Sequence, residues 1–365
     1  MQNNMKVALG SKTIKGPWGG GNLFTINLEK YLKSKDIEVI NNLTEPGIDI
    51  ILLTEPRLES STSTITLLEA RLYKKFVNSQ VKIIHRINEC DERKNTNFVN
   101  KKMISISNRS DFTIYVSSWI QDLFNKNQIQ VDESKVIMSG SNNRVFNKIN
   151  KEVWDRKSKL RIVTHHWGNN WNKGFDSYSY LDTLLDDLEL REKFNFTYIG
   201  NLPKDFKFRN SDYLKPISDL ELSNELKTHD LYITGSINEP SGNHHIEGAL
   251  CGLPVLYVKS GGVTEYQSDY GIEFKDSDLL EKLNNIYMNY EVYYQRNKNF
   301  PFSSDRMCKE YFDVMLELCS IKKKKRSSLY LILYRLFYPN LISYYKDVSA
   351  RTIYHFRKIT DSANK

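Results

Sequence analysis

Two acidic side chains, Glu239 and Glu247, stand with seven residues between them, Gly242 and Asn243 among these, inside LYITGSINEPSGNHHIEGALCGLPVLYVKSGGVTE, residues 231 to 265. An ionised carboxylate accepts from two donors at once, so either glutamate could hold a pair of neighbouring hydroxyls. A helix opening near Ser241 to Asn243 offers unpaired amide groups and the positive end of its dipole, which suits an anion such as a diphosphate. Gly242 has no side chain to keep that anion at a distance. The chemistry these groups share is the binding of a phosphate-bearing, hydroxyl-rich ligand.

The elements that must position them surround the pair. Leu231 to Ile233 is a short apolar run, and Gly235 to Gly242 is a polar loop containing Pro240. His244 to Cys251 reads as a helix closed by Gly252 and Pro254, and Val255 to Val258 is a second apolar run before Gly261 and Gly262. Strand, loop, helix, strand and loop make a parallel βαβ unit. Such units bind ligands where loops leave the carboxyl ends of the strands. The glutamate spacing, the G-x-P-V after the helix and the glycine pair resemble the donor-site signature of retaining GT-B glycosyltransferases of the family 4 type (glycosyl transferases group 1). The resemblance implies that Glu239 faces a transferred sugar and Glu247 the ribose hydroxyls of a nucleotide-sugar donor. It also implies that Gly242 and Asn243 meet the diphosphate and that Gly262 belongs to a second donor-side loop. An ordinary βαβ unit with two exposed glutamates is the plainer alternative.

Earlier in the chain, Lys6 to Gly10 reads as a strand, GPWGGGN (residues 16 to 22) as a loop and Leu23 to Lys33 as a helix. The backbone at Gly20 and Gly21 could approach a sugar or phosphate, and the same family opens with this pattern. GGGNLF does not supply the G-x-G-x-x-G of a dinucleotide fingerprint. Ile37 to Ile40, Ile48 to Leu53, Val81 to Ile84 and Phe112 to Val116 are expected strands, with helices over Thr66 to Asn78 and from Ser117 or Ser118 to about Asn125. His85 follows a strand, and the resemblance implies that it faces the sugar or acceptor; a hydrogen-bonded structural histidine is the competing account. CDERKNTN, residues 90 to 97, is expected to be a polar loop facing the cleft. Val136 to Met138 leads into GSNNRVFN, residues 140 to 147, which resembles the family's hinge entry, and residues 148 to 158 read as the linker.

A second series begins with a strand over Arg161 to Thr164, followed by HHWGNNWNKGFD, residues 165 to 176. The family places an arginine and a lysine on the donor's phosphates here. Lys173 and Gly174 match the second half of that pattern. No arginine matches the first; His165, His166, Trp167 and Asn169 fill the space. Helices are expected over Asp176 to Leu188, Ser218 to Thr228, Asp278 to Tyr290 and Ser304 to Leu318, with a strand over Asn195 to Ile199. By the resemblance the last helix crosses back onto the first domain. His244 and His245 are neighbours and point about 100° apart on a helix, a poor metal pair. No metal is expected.

Composition bounds the rest. With 365 residues, 40% of them hydrophobic, the chain has length for two cores and is not of the disordered class. The net charge of +8 is a local property: from residue 321 onward eleven Lys and Arg meet two Asp, which leaves 41 basic and 42 acidic side chains before it. Nucleic-acid binding is therefore not expected. The block KKKKR followed by Leu, Ile, Tyr and Phe (within residues 322 to 347) suits an anionic membrane surface, while Arg335 and Pro339 argue against a span. A helix packed on the first domain is the alternative. The scattered Cys90, Cys251, Cys308 and Cys319 suggest free thiols, and MQNNMKVALG lacks the apolar core of a signal peptide. A cytoplasmic protein is expected, with a peripheral position on the inner membrane face as an extension.

The fold class implied is α/β: GT-B, two Rossmann-like domains facing a cleft, with a C-terminal helical basic tail. The expected divisions are 1–148 (acceptor side), 159–303 (nucleotide-sugar side), 304–320 (closing helix) and 321–365 (tail). The expected activity is metal-independent transfer of a hexosyl group, with retention, from a UDP- or GDP-sugar to a glycan or lipid-linked glycan. The nucleotide sugar is a co-substrate, and no cofactor is expected. Catalytic candidates are Glu239, Lys173 and His85; binding candidates are Glu247, Gly242, Asn243, Gly20, Gly21 and Gly262. A sugar-nucleotide epimerase-like enzyme and a non-catalytic sugar-nucleotide binder on the same fold stay open.

Overall fold

The computed structural model describes residues 5–14, 16, 19–57, 60, 62–126 and 133–319; the expected tail contact over 322–347 lies outside the described residues. Two lobes each hold a six-stranded, wholly parallel sheet. In the first lobe, strands β1 (Lys6–Leu9), β2 (Glu38–Ile40), β3 (Ile50–Leu53), β4 (Lys82–Ile87), β5 (Phe112–Tyr115) and β6 (Ser134–Val136) lie in the order β2-β1-β3-β4-β5-β6. Helices α1 (Gly20–Lys33), α2 (Leu67–Phe76), α3 (Asp91–Lys94), α4 (Val99–Ser107) and α5 (Ser118–Lys126) connect them. Every residue of β3 is buried, as a strand covered on both faces requires. Thr66 and Glu69 form a reciprocal capping box that starts α2 one residue after the expected Thr66.

The second lobe runs through β7 (Leu160–His166), α6 (Phe175–Leu184), α7 (Leu188–Lys193), β8 (Phe194–Gly200), β9 (Asp212–Leu214) and α8 (Asp219–Lys227). It continues with β10 (Leu231–Thr234), α9 (Asn243–Leu250), β11 (Val255–Val258), α10 (Val263–Gln267), β12 (Ile272–Phe274), α11 (Leu279–Met288) and α12 (Tyr290–Arg296). Its sheet order is β12-β11-β10-β7-β8-β9. The helix expected over Asp176 to Leu188 ends at Leu184, and α7, which was not expected, starts at Leu188, where the Asp187 carboxylate accepts the Glu189 and Leu190 amides.

The last described element, α13 (Ser304–Cys319), leaves the second lobe and packs on the first. Met307, Tyr311, Val314 and Met315 join Phe24, Leu28 and Leu32 of α1 in one core on that sheet face. The two chain crossings between lobes are tied together: the Ser141 amide donates to the Phe302 carbonyl (3.3 Å) and the Ser304 amide to the Ser141 carbonyl (2.7 Å).

Sheet order decides where a site can form. In the second sheet the chain winds outward from β7 in one direction and from β10 in the other, so the two strands flank the point of reversal. Loops leaving their carboxyl ends diverge and open a crevice there. Those loops carry Lys173 and Glu239. The segment 90 to 97, expected to be a loop, contains α3, which faces the same crevice from the other lobe.

Candidate active site

A cavity of about 540 Å³ lies between the lobes, lined from both. It brings together Glu239, Glu247, Gly242, Asn243, Lys173, Gly20 and Gly21, which are spread over more than two hundred positions of sequence.

At its floor Glu239 is only 6% exposed and meets two cations from opposite lobes. Lys173 Nζ donates to Oε2 at 2.5 Å, and Arg93 Nε lies 3.0 Å from Oε1. Arg93 and Lys94 also pair with Glu89, the latter at 2.8 Å. Burial alone would push the Glu239 carboxyl up, but Arg93 and Lys173 hold it far below the ordinary carboxylate range. Burial and the nearby guanidinium lower the Lys173 ammonium, with Glu239 pulling the other way. Burial also opposes charge on Arg93, yet Glu239 and Glu89 together raise its pKa. The group is thus a chain of alternating charges, Glu89–Arg93–Glu239–Lys173, crossing the cleft.

Local geometry explains how Glu239 is presented. Gly242, with φ +73°, turns the loop into α9, and a Cβ there would stand 2.8 Å from the His244 ring and 3.0 Å from Glu239 Cγ. α9 starts without a side-chain cap, so its first amides are left for a ligand. Glu247, one turn further on, is already held: Ser141 Oγ donates to Oε1 at 3.1 Å and His165 Nε2 lies 2.8 Å from Oε2. The Tyr232 hydroxyl, 3.1 Å from His165 Nδ1, completes that chain. The histidines where an arginine was expected therefore serve as props. His166 Nε2 contacts the Tyr178 hydroxyl at 2.7 Å, and its ring lies 4.4 Å from that of His244. His244 Nε2 contacts Thr234 Oγ1 at 2.9 Å. Burial lowers the pKa of both rings, which leaves them neutral. Among the described residues no group of three or more His, Cys, Asp or Glu side chains is placed to hold a metal ion.

Two candidates lie elsewhere. His85 is fully buried, with Nδ1 2.7 Å from Ser107 Oγ of α4, and burial pushes its ring down to about 3. Successive strand residues face opposite sides, and on β4 it is the next residue, Arg86, that lines the cavity. Gly262 does not line it either. Its amide donates to the Glu239 carbonyl at 2.9 Å, and a Cβ would stand 2.1 Å from the Pro240 carbonyl oxygen. It fastens the Glu239 loop.

Arg93 and Arg86 are the residues that sequence reasoning missed. Arg93 sits in the segment read as cleft-facing, but no spacing distinguished it from Lys94. Arg86 stands beside the residue that was chosen, and because both faces of β4 are buried, no alternation marked which one looked inward.

No protein-family model matches the sequence, and no curated protein matches it. Among solved structures the chain is similar to HepE of Anabaena in complex with UDP and glucose, at 13% identity over 86% of this chain and 100% of that one, TM-score 0.63. It is similar to the sucrose-phosphate synthase of Thermosynechococcus elongatus (12% identity, 86% and 99% covered, TM-score 0.62). The lipopolysaccharide outer core galactosyltransferase WaaB gives 12% identity, the same coverage and a TM-score of 0.60. At such identities the likeness establishes the fold, which is GT-B.

Proposed function

We propose that the protein transfers a sugar from a nucleotide-sugar donor to a glycan acceptor across this cleft. The observation that carries the reading is Glu239, buried and ionised between Lys173 and Arg93, beside the uncapped start of α9. A diphosphate is met there by helix amides and two cations, the arrangement needed where negative charge grows on a leaving group. Arg93 supplies from the first lobe the guanidinium that the second lobe lacks. The cavity's volume falls within the range of small-molecule sites. Structural neighbours include HepE with UDP-glucose bound, which supports a nucleotide-sugar donor here.

Retention is part of the proposal and rests on the resemblance to retaining GT-B enzymes. A base that deprotonates the acceptor opposite the leaving group would be needed for inversion. Glu239, held far down by two cations, is a poor proton acceptor, which agrees with that reading. In this proposal the leaving diphosphate serves as the base, on the same face as departure. Glu239 keeps Lys173 and Arg93 in place and has lone pairs left for a sugar hydroxyl. With two protein cations at the phosphates, turnover is expected to persist in EDTA. A lipid-linked acceptor is part of the same proposal; among the described residues no helix is long and apolar enough to cross a membrane.

The test is release of nucleoside diphosphate from UDP-, GDP- and ADP-sugars, with and without glycan acceptors. Release that depends on acceptor is expected, with kcat lowered about 10²–10³-fold in Glu239→Gln. Conversion of the sugar without acceptor would favour an epimerase. Binding without turnover, unchanged in Glu239→Gln, would favour a simple binder.

A further inference from the structure

Arg86 sits at the carboxyl end of β4, in the cavity wall of the first lobe, and is only 5% exposed. Its guanidinium lies over the Phe24 ring of α1, 4.1 Å from the centroid, beside the Tyr311 hydroxyl. Nε and Nη1 are buried and meet no carboxylate among the described residues, the Tyr311 hydroxyl being the polar group beside the guanidinium. A buried charge that lacks a paired acceptor is costly, and guanidinium has a fork that matches carboxylate or phosphate oxygens. Other cleft cations are neutralised: half-buried Arg57 by Glu55, buried Lys173 by Glu239, and half-buried Arg93 by Glu239 and Glu89. Next to Arg86, α1 starts at Gly20 and Gly21 without a side-chain cap, so its dipole adds to the same positive field. Lys12, on the same wall, makes no ion pair among the described residues.

We propose that Arg86 and the amide end of α1 form an oxyanion pocket for an acidic group of the acceptor, a phosphate or a uronate carboxylate. This rests on the sugar-transfer reading, in which the donor's diphosphate is met by Lys173, Arg93 and α9. Arg86 and Arg93 both rise from the first lobe, but Arg93 is drawn across the cleft by Glu239 whereas Arg86 meets no carboxylate among the described residues, so the acid it takes is assigned to the second substrate.

Thermal unfolding of the full chain tests it, with inorganic phosphate and glucuronate as probes, glucose as the neutral control and sodium chloride holding ionic strength constant. In protein saturated with UDP or GDP, phosphate or glucuronate at ten times its Kd is expected to raise Tm by about a further 2 °C. Glucose is expected to add nothing. Arg86→Gln is expected to lose the anion shift and keep the nucleotide shift. Should it fail to fold, Arg86→Lys, which lacks the fork, is expected to keep the nucleotide shift and lose at least half of the anion shift. Absence of an anion shift in the saturated wild type would overturn the proposal, as would loss of the nucleotide shift in the variant, which assigns Arg86 to the donor. If neither nucleotide shifts the wild type, the donor reading fails on its own. The anion arm is then read without nucleotide, where an equal phosphate response in wild type and Arg86→Gln overturns the pocket.

Discussion

At the scale of the residue, several buried histidines set the acid limit of the protein. Burial drives His85 down to about 3 and His245 to about 4, and it lowers His166 and His244 as well. The unfolded chain takes up protons near pH 6.5, whereas the folded one does not. Stability from these groups is therefore complete above about pH 6.5 and falls below it, by about 1.4 kcal/mol per pH unit for each histidine. The Glu239 carboxylate, held down by Arg93 and Lys173, loses its contribution only in the carboxylate range and below. Denaturant unfolding from pH 7 to 5 is expected to show the histidine slope, and His85→Asn to reduce it by one histidine's share. The same variant is expected to leave transfer within about threefold of wild type, because His85 faces Ser107 and not the cleft. A loss of transfer comparable to that of Glu239→Gln would return His85 to the site.

At the scale of the element, the βαβ unit around α9 was legible because its signals agree: two short apolar runs, a glycine at the entry to the helix, and Gly252 and Pro254 at its end. The elements that the sequence hid are short or depend on partners far along the chain. α3 is a single turn whose start is held by Asp91, which accepts amides from Phe98, Val99 and Asn100. β9 is three exposed residues, ordered by pairing with β8. Glu265 shows the same non-local logic. It rises from α10 in the second lobe and accepts the Ser118 amide at 2.8 Å and the Trp119 amide at the start of α5 in the first. It caps a helix nearly 150 positions away, which no reading of neighbours could reveal. Glu265→Ala is expected to cost about 1–2 kcal/mol in denaturant unfolding. Glu265→Gln, which keeps an acceptor oxygen, is expected to cost less, and equal losses would show that the cap is not what Glu265 contributes.

At the scale of the molecule, two parallel sheets place their carboxyl ends toward one cleft, and the strand order of the second opens its crevice between β7 and β10. α13 then returns to complete a core of the first lobe, which is thereby built from two separate segments. The architecture was readable from the succession of strands and helices, and from Lys173 and Glu239 lying just past two of those strands. The cross-lobe pairing was not, since Arg93 meets Glu239 only once the hinge has fixed how the lobes face each other. The central claim is that this closed arrangement grips a diphosphate through Lys173 and the start of α9. Titration calorimetry of wild type and Lys173→Ala with UDP, GDP and the matching nucleosides tests it most directly. A diphosphate that binds wild type and loses about 10–100-fold in Kd in the variant, with nucleoside affinity unchanged, is the result expected. Equal diphosphate affinity in the two proteins would contradict it.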